Sequence, residues 1–320
     1  MKGSILITGV AGFIGSHLAE RFLREGYSVA GIDNFDPFYP RNIKEKNLDQ
    51  IRKVGPIDFY ELDISIPGAL DSIQGKFETV VHLAAKAGVL PSIHYTDSYI
   101  QANVIGTQQV LEFMKSRNIR KLAFASSSSV YGNNPTPFSE TDDVSKPISP
   151  YAFTKKSCEL MNHAYHHLFG LDVINLRFFT VIGERQRPDL AIHKFVKAIR
   201  NEEPIRMYGP GDSARDYTYV GDIVEGVFQA VQYVNTNENV FEIINLGNQN
   251  PVSLREMIDT IYEVMKKEPN IIQTEKQPGD VETTFANIGR AKALLGYQPK
   301  TSFREAIRRF VDWSGNPENI

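Results

Sequence analysis

The run Ser4–Thr8 is short and apolar, and Gly9, Gly12 and Gly15 follow it at once in Gly9-Val10-Ala11-Gly12-Phe13-Ile14-Gly15. From Phe13 to Glu25 apolar residues then recur every three or four positions, the period of a helix packed on one face. A buried strand, a glycine turn and an amphipathic helix in this order leave few folds open, because the helix must return over the strand it follows. Glycines spaced G-x-x-G-x-x-G let the backbone turn sharply and approach a pyrophosphate without a Cβ in the way. The helix start adds free N–H groups and a positive dipole end. Glycines alone are weak evidence. The strand before and the helix after make Gly9, Gly12, Phe13, Ile14 and Gly15 a phosphate-binding turn.

The same alternation continues. Ser28–Asp33, Ile57–Leu62, Thr79–Leu83, Lys121–Ser126 and Asp172–Arg177 read as buried strands, and Ser92–Arg117 and Tyr151–Phe169 as helices. Near-continuous apolar strands between helices predict parallel βαβ units, hence an α/β fold built on a Rossmann doubly wound sheet. The second half is richer in loops and predicts a smaller α/β lobe. The expected division is 1–180 with about 216–247 for the dinucleotide-binding domain, and about 181–215 with 248–320 for the substrate lobe. Ligands of such folds bind in the crevice at the carboxyl ends of the strands.

Asp33 ends the second strand, 18 residues after Gly15. A carboxylate there accepts both ribose hydroxyls of an adenosine and repels a 2′-phosphate, which favours NAD over NADP. Asn34 follows it in a turn-forming pair. Asp63, with Ile64 beside it, closes the third strand and is suited to the adenine amine. Leu83, Ala84, Ala85 and Lys86 follow the fourth, where small residues let a dinucleotide lie close.

Composition narrows the function classes. A net charge of −3 gives no electrostatic footprint for nucleic acid or a membrane surface. Cys158 is the single cysteine, so no internal disulfide forms and a reducing compartment is expected. No stretch of about 18 apolar residues suggests a membrane span. Met1-Lys2 and the apolar run after it look like a short signal peptide, but a buried strand and an amphipathic helix explain them better. The expected location is the cytoplasm. His163, His166 and His167 read as surface rather than metal ligands.

Tyr151 and Lys155 stand one helical turn apart on one face. A free tyrosine, with a pKa of about 10, is a poor base at neutral pH. A neighbouring ammonium and a nicotinamide cation are expected to favour its phenolate. Ser126-Ser127-Ser128-Ser129-Val130-Tyr131-Gly132 follows the fifth strand and offers hydroxyls for a reacting oxygen.

In order and spacing, these features resemble the extended short-chain dehydrogenase/reductase family over essentially the whole chain. The resemblance implies Tyr151 as acid/base, Lys155 as its partner, Ser127 as the catalytic hydroxyl and Asn103 as a support for the lysine. It also implies a nucleotide-sugar substrate, with Ser127 and Ser128 beside the sugar. Arg215, in Arg215-Asp216-Tyr217, and Asp280 fall where the diphosphate is held, and forked guanidinium bonding suits Arg215 to phosphate. Gln277 stands where many relatives have an arginine. A homodimer built on two long helices is implied as well.

Family members that dehydrate or decarboxylate sugars carry an acid just before the Val-Tyr-Gly, where this chain has Ser128 and Ser129. That leaves redox-neutral epimerisation. Asn34–Arg41, and Arg177–Val181 followed by Arg187–Ala191, are similar to segments of UDP-glucuronate 4-epimerases. The expected reaction is therefore C4 epimerisation of UDP-glucuronate to UDP-galacturonate through a 4-keto sugar, with Thr180 and Arg187 holding the carboxylate. Arg185 is a rival for that role, because Ile182–Gln186 departs from the usual loop. Alternatives are a UDP-glucose or UDP-N-acetylglucosamine 4-epimerase and a non-catalytic NAD-binding protein.

Overall fold

The structure, a computed structural model, describes residues 2–275 and 282–316. Gln277 and Asp280 lie outside the described residues.

The first half supplies β1 (Ser4–Thr8), β2 (Ser28–Asp33), β3 (Ile57–Glu61), β4 (Thr79–His82), β5 (Lys121–Ser127) and β6 (Asp172–Phe178). Six further strands follow: β7 (Thr180–Ile182), β8 (Ile205–Tyr208), β9 (Ala214–Tyr219), β10 (Phe241–Leu246), β11 (Pro251–Ser253) and β12 (Ile271–Thr274). Seven strands form one parallel sheet in the order β10-β6-β5-β4-β1-β2-β3. The order reverses between β1 and β4, so their carboxyl ends open a crevice. Gly9 and Leu83–Lys86 leave the sheet at that point.

Helices α1 (Phe13–Arg24) and α2 (Arg41–Val54) flank the β1–β3 side. The stretch Ser92–Arg117, read as one helix, is four pieces: α3 (Val89–His94), α4 (Thr96–Tyr99), a π turn at Ile100–Ile105 and α5 (Gly106–Ser116). Tyr95 leaves the helical region at φ −127°, ψ 41°. The π turn carries Asn103, whose amide accepts from Lys86 N (2.8 Å) and donates to Lys86 O (3.0 Å). A wide turn at a functional residue is a common use of π geometry. Next comes α6 (Pro150–Phe169), where Ser149 caps the Ala152 N–H and Pro150 opens the first turn.

The second half adds α7 (Ala191–Arg200), α8 (Val220–Thr236), α9 (Leu254–Met265), α10 (Gly289–Leu295) and α11 (Phe303–Ser314). A three-stranded sheet, β11-β9-β7, and the pair β12-β8 hold a separate core with Ile182, Met207, Ile258 and Phe310. Residues 216–219 pair in this small sheet, not in the large one. Tyr297 and α10, from the stretch expected in the small lobe, pack instead with α8 and β10 on the large sheet. Asp216 marks the seam. Its fully buried carboxylate accepts the Asn248, Gln249 and Ala286 backbone N–H groups.

A buried polar wire ties the sheet centre to α5. The Thr107 hydroxyl donates to Asn103 O (2.6 Å), which leaves its oxygen to accept from His82 Nε2 (3.0 Å). His82 Nδ1 then accepts from the Thr8 hydroxyl (2.6 Å), and Thr8 accepts from Ala84 N (3.1 Å). Acceptance at Nδ1 requires a neutral imidazole, and burial, followed by the Lys155 charge, lowers the His82 pKa from 6.5 to about 3. Between those values the unfolded chain binds a proton that the folded chain does not, so stability present above pH 6.5 is lost as pH falls toward 3. Replacing His82 with Gln should flatten the pH dependence of unfolding free energy by about 1.4 kcal/mol per pH unit below pH 6.5. Urea titrations at stepped pH check it, and an unchanged slope would show that the ring titrates freely in the fold.

Candidate active site

The glycine turn is built as its spacing requires. Gly9 adopts φ +74°, and a Cβ there would sit 2.9 Å from Ala84 N. At Gly15 a Cβ would fall 2.1 Å from Gly9 O, so the turn and the first coil of α1 close only without one. Gly12 caps α1 with no side-chain bond, and no acidic residue lies in the first turn, which leaves the helix start open to an anion. Asp33, buried at the end of β2, accepts from Ala11 N (3.2 Å) and Phe35 N (2.9 Å). Burial raises its pKa, against the opposing pull of Lys44, 3.7 Å away, and those two N–H groups.

Asp63 takes the Ser65 N–H and hydroxyl on one oxygen and Asn34 Nδ2 on the other. Lys86 pairs with Asp36 at 2.9 Å. Sequence reasoning passed over Lys44, which is buried, bonds Asp36 O (3.0 Å) and stands between two carboxylates. Nothing in its sequence neighbourhood marks it, since its position depends on how α2 packs.

At the carboxyl end of β5 the Ser127 hydroxyl lies near enough to the Tyr151 phenol to favour its ionised form against burial. Ser127 Oγ accepts from Ser129 N (3.2 Å) and Ser129 Oγ (2.9 Å), so its own proton is left to be donated toward the reacting oxygen. The Tyr99 ring meets Tyr151 edge-on, with centroids 6.2 Å apart.

Lys155 behaves differently from the expectation that it lowers the Tyr151 pKa. Its ammonium donates to Ala125 O (2.7 Å), and burial pulls its own pKa down to about 8 against the Cys158 and Glu159 charges. Tyr151 is shifted upward by burial. Ser127 and the Arg187 charge pull it back only in part, so the cofactor-free chain holds a neutral phenol. Asn103 also departs from its expected role: its amide reaches Thr154 Oγ1 (2.9 Å) and the Lys86 backbone, rather than Lys155.

Missed by sequence reasoning, Glu159 sits two helical turns after Tyr151 on α6. Its buried carboxylate receives Arg177 Nε and Nη2, both at 2.8 Å, and the Ser126 hydroxyl at 2.6 Å. The eight-residue spacing from Tyr151 was the available signal.

Arg187 and Arg185 separate cleanly. Arg187 lies over the Phe38 ring (5.3 Å to the centroid), and its charge acts on Tyr39, Tyr99 and Tyr151. The two stretches singled out in sequence thus meet where Arg187 covers Phe38. Arg187 is bidentate with Asp189 at 3.0 and 2.9 Å. Arg185 turns the other way and pairs with Glu20 of α1 at 2.5 Å. Thr180 opens β7 opposite Tyr217 of β9. Arg215, on β9, donates to Ala214 O and Glu282 O. Asp216 does not neutralise it, being committed to backbone N–H groups.

Fold and site together define an enzyme of the extended short-chain dehydrogenase/reductase class. The chain belongs to the family described as GDP-mannose 4,6 dehydratase, whose model matches residues 6–310. A UDP-glucuronate 4-epimerase of Thermodesulfobacterium geofontis is 41% identical over 99% of this chain and 97% of its own. The UDP-glucuronic acid 4-epimerase of Bacillus cereus, solved with UDP-glucuronic acid and NAD, superposes with a TM-score of 0.90 at 34% identity over 97% of this chain and 98% of that one. The UDP-glucose 4-epimerase of Thermotoga maritima, solved with UDP-glucose, gives 0.88 at 29% identity, with 98% of each chain covered.

Breaking the Glu159 pair should be costly, because it strands a buried guanidinium. Glu159→Gln is expected to lose about 3–5 kcal/mol of stability in urea unfolding. A loss below about 1 kcal/mol, the scale of an exposed pair, would show that Arg177 finds another partner.

Proposed function

We propose that this chain is an NAD-dependent isomerase that inverts C4 of UDP-glucuronate to give UDP-galacturonate. The observation that carries the reading is Arg187, a cation stacked over Phe38 of the loop after β2 and near enough for its charge to act on the Tyr151 phenol. A uronic acid brings a carboxylate to that place, and a forked guanidinium with the Thr180 hydroxyl nearby in the chain suits it. The relatives named above support the same substrate. In this reading the large-sheet unit holds the dinucleotide and the small-sheet unit the nucleotide sugar, with Arg215 on the diphosphate.

The residues present fit NAD: an uncapped helix start behind a glycine turn, a carboxylate at the end of β2, and Tyr151 and Lys155 at the far side of the crevice. When bound, NAD supplies the acceptor for the C4 hydrogen and its return, so the reaction shows no net oxidation. With the positive nicotinamide ring favouring its phenolate, Tyr151 would take the C4 hydroxyl proton, while Ser127 would donate to the same oxygen. Inversion requires the keto sugar to turn its other face, after which Tyr151 gives the proton back. Such an intermediate is a β-keto acid, which loses CO₂ when the breaking bond aligns with the carbonyl π system. Arg187 and Thr180 hold the carboxylate out of that alignment, and Ser128 and Ser129 offer no acid to complete the loss.

The bidentate Asp189 pair favours a second reading, a neutral-sugar epimerase, because it already neutralises Arg187. A homodimer is part of the proposal and is supported by Phe153, Leu160 and Leu168, exposed on one face of α6. The buried single cysteine, and the lack of a described helix long and apolar enough to cross a membrane, agree with a cytoplasmic location.

Purified protein incubated with UDP-glucuronate and no added NAD should produce UDP-galacturonate, followed by proton NMR, without pentose. Turnover of UDP-glucose alone would establish the second reading. Arg187→Ala should lower kcat/KM for UDP-glucuronate by about 10- to 150-fold, the worth of hydrogen bonds to a charged group. Its melting temperature should hardly change, since the half-buried pair with Asp189 lies within one loop and ties no two elements together. Parallel loss of stability and activity would count against the clamp.

A further inference from the structure

The loop at residues 183–190 joins β7 to α7 and delivers Arg187 to the phenol. Its backbone is strained at Arg185, which stands at φ +62°. A long side chain in the left-handed region persists only where its surroundings fix it. Here three consecutive residues are each anchored. The Arg185 guanidinium meets the buried Glu20 carboxylate at 2.5 Å, and the other Glu20 oxygen takes Arg24 at 2.8 Å. Glu184 O accepts from His17 Nε2 (3.0 Å), and its carboxylate accepts from the Tyr219 hydroxyl (3.2 Å). Gln186, almost fully buried, donates N–H to Gly183 O (3.2 Å) and Nε2 to Val181 O (3.3 Å), while its carbonyl accepts from His193 Nδ1 (3.1 Å). Arg187 is the first residue after this anchor; it lies over Phe38, and its charge reaches the Tyr151 phenol.

We propose that the Glu20–Arg185 pair is a positioning device that fixes the Arg187 loop and so sets the preference for a carboxylated sugar over its neutral counterpart. This rests on the reading of Arg187 as the carboxylate receptor. His17 and Glu20 stand one turn apart on α1, whose first turn is the phosphate-binding glycine segment. The same rigid helix therefore indexes both the dinucleotide and the sugar loop, and the distance between the two sites is set by one element. Arg185 does this without touching substrate. Its guanidinium is spent on α1, and the strained backbone turns the next side chain but one toward the phenol.

The test measures dissociation constants of UDP-glucuronate and UDP-glucose by calorimetry for wild type, Glu20→Gln, Arg185→Gly, the double variant and Arg187→Ala. Arg185→Gly keeps the left-handed backbone accessible, and Glu20→Gln keeps shape while removing charge, so both are expected to fold. The expected result is about tenfold weaker UDP-glucuronate binding in each single variant, within the worth of a charged hydrogen bond. UDP-glucose binding should be unmoved, and the double variant should be no worse than either single one. Pin variants that weaken both ligands equally, or neither, while Arg187→Ala still selects against UDP-glucuronate, would overturn the positioning role and leave the clamp standing. Arg187→Ala with an unchanged ratio would overturn the clamp and this proposal together.

Discussion

The Glu159 carboxylate lies in the core between β5, β6 and α6, and it bonds a residue from each strand. Through Ser126 it holds the end of β5, whose next residue is Ser127. Through Arg177 it holds the end of β6, just before the Phe178-Phe179-Thr180 connection to the small sheet. It stands in the third turn of α6, the helix whose first turn carries Tyr151. Burial raises the pKa of such a carboxyl, yet the Arg177 bonds and charge outweigh it and keep Glu159 ionised. Desolvating two charges costs several kcal/mol, and hydrophobic residues of equal volume are often as stable. What the pair provides is direction. A bidentate guanidinium fixes angle as well as distance, so α6 cannot slide along the sheet without losing both bonds. Ser127, Tyr151 and Lys155 stay in register because of it.

Around that fixed centre the sequence was legible where local pattern decides structure. The bounds of β1 and β2 match the apolar runs, β5 and β6 run one residue longer, and the glycine turn sits where its spacing places it. Parallel buried strands need apolar side chains on both faces, so the pattern is strong. The long helix at 92–117 failed for a tertiary reason: Asn103 must turn inward to pair with the Lys86 backbone, and a regular helix does not offer that face. Side-chain direction in the catalytic centre was equally hidden. That Lys155 spends its ammonium on Ala125 O, and that Asn103 reaches Thr154 instead, depends on distances no spacing rule fixes.

Arg185 and Arg187 show the same limit in the loop between β7 and α7. Two arginines one residue apart read alike in sequence, and an extended chain would point both to one side. The left-handed backbone at Arg185 breaks that periodicity, so one guanidinium meets α1 and the other lies over Phe38. Long-range charge decided it. Glu20 is 165 residues upstream, and only the doubly wound topology places α1 beside the end of β7.

The family is described by a dehydratase, and the local chemistry explains why that name need not carry over as an activity. Dehydration and decarboxylation both require one proton more than epimerisation, delivered by an acid just before the Val-Tyr-Gly. In this chain Ser129 occupies such a position, and its hydroxyl donates to Ser127 Oγ at 2.9 Å. A hydroxyl is no proton source at neutral pH, and this one is already committed. Its bond instead orients Ser127, so the position that elsewhere shuttles a proton here serves the shared first step. Only the Tyr151 proton remains available, and a single proton taken and returned at the same oxygen is what redox-neutral inversion needs.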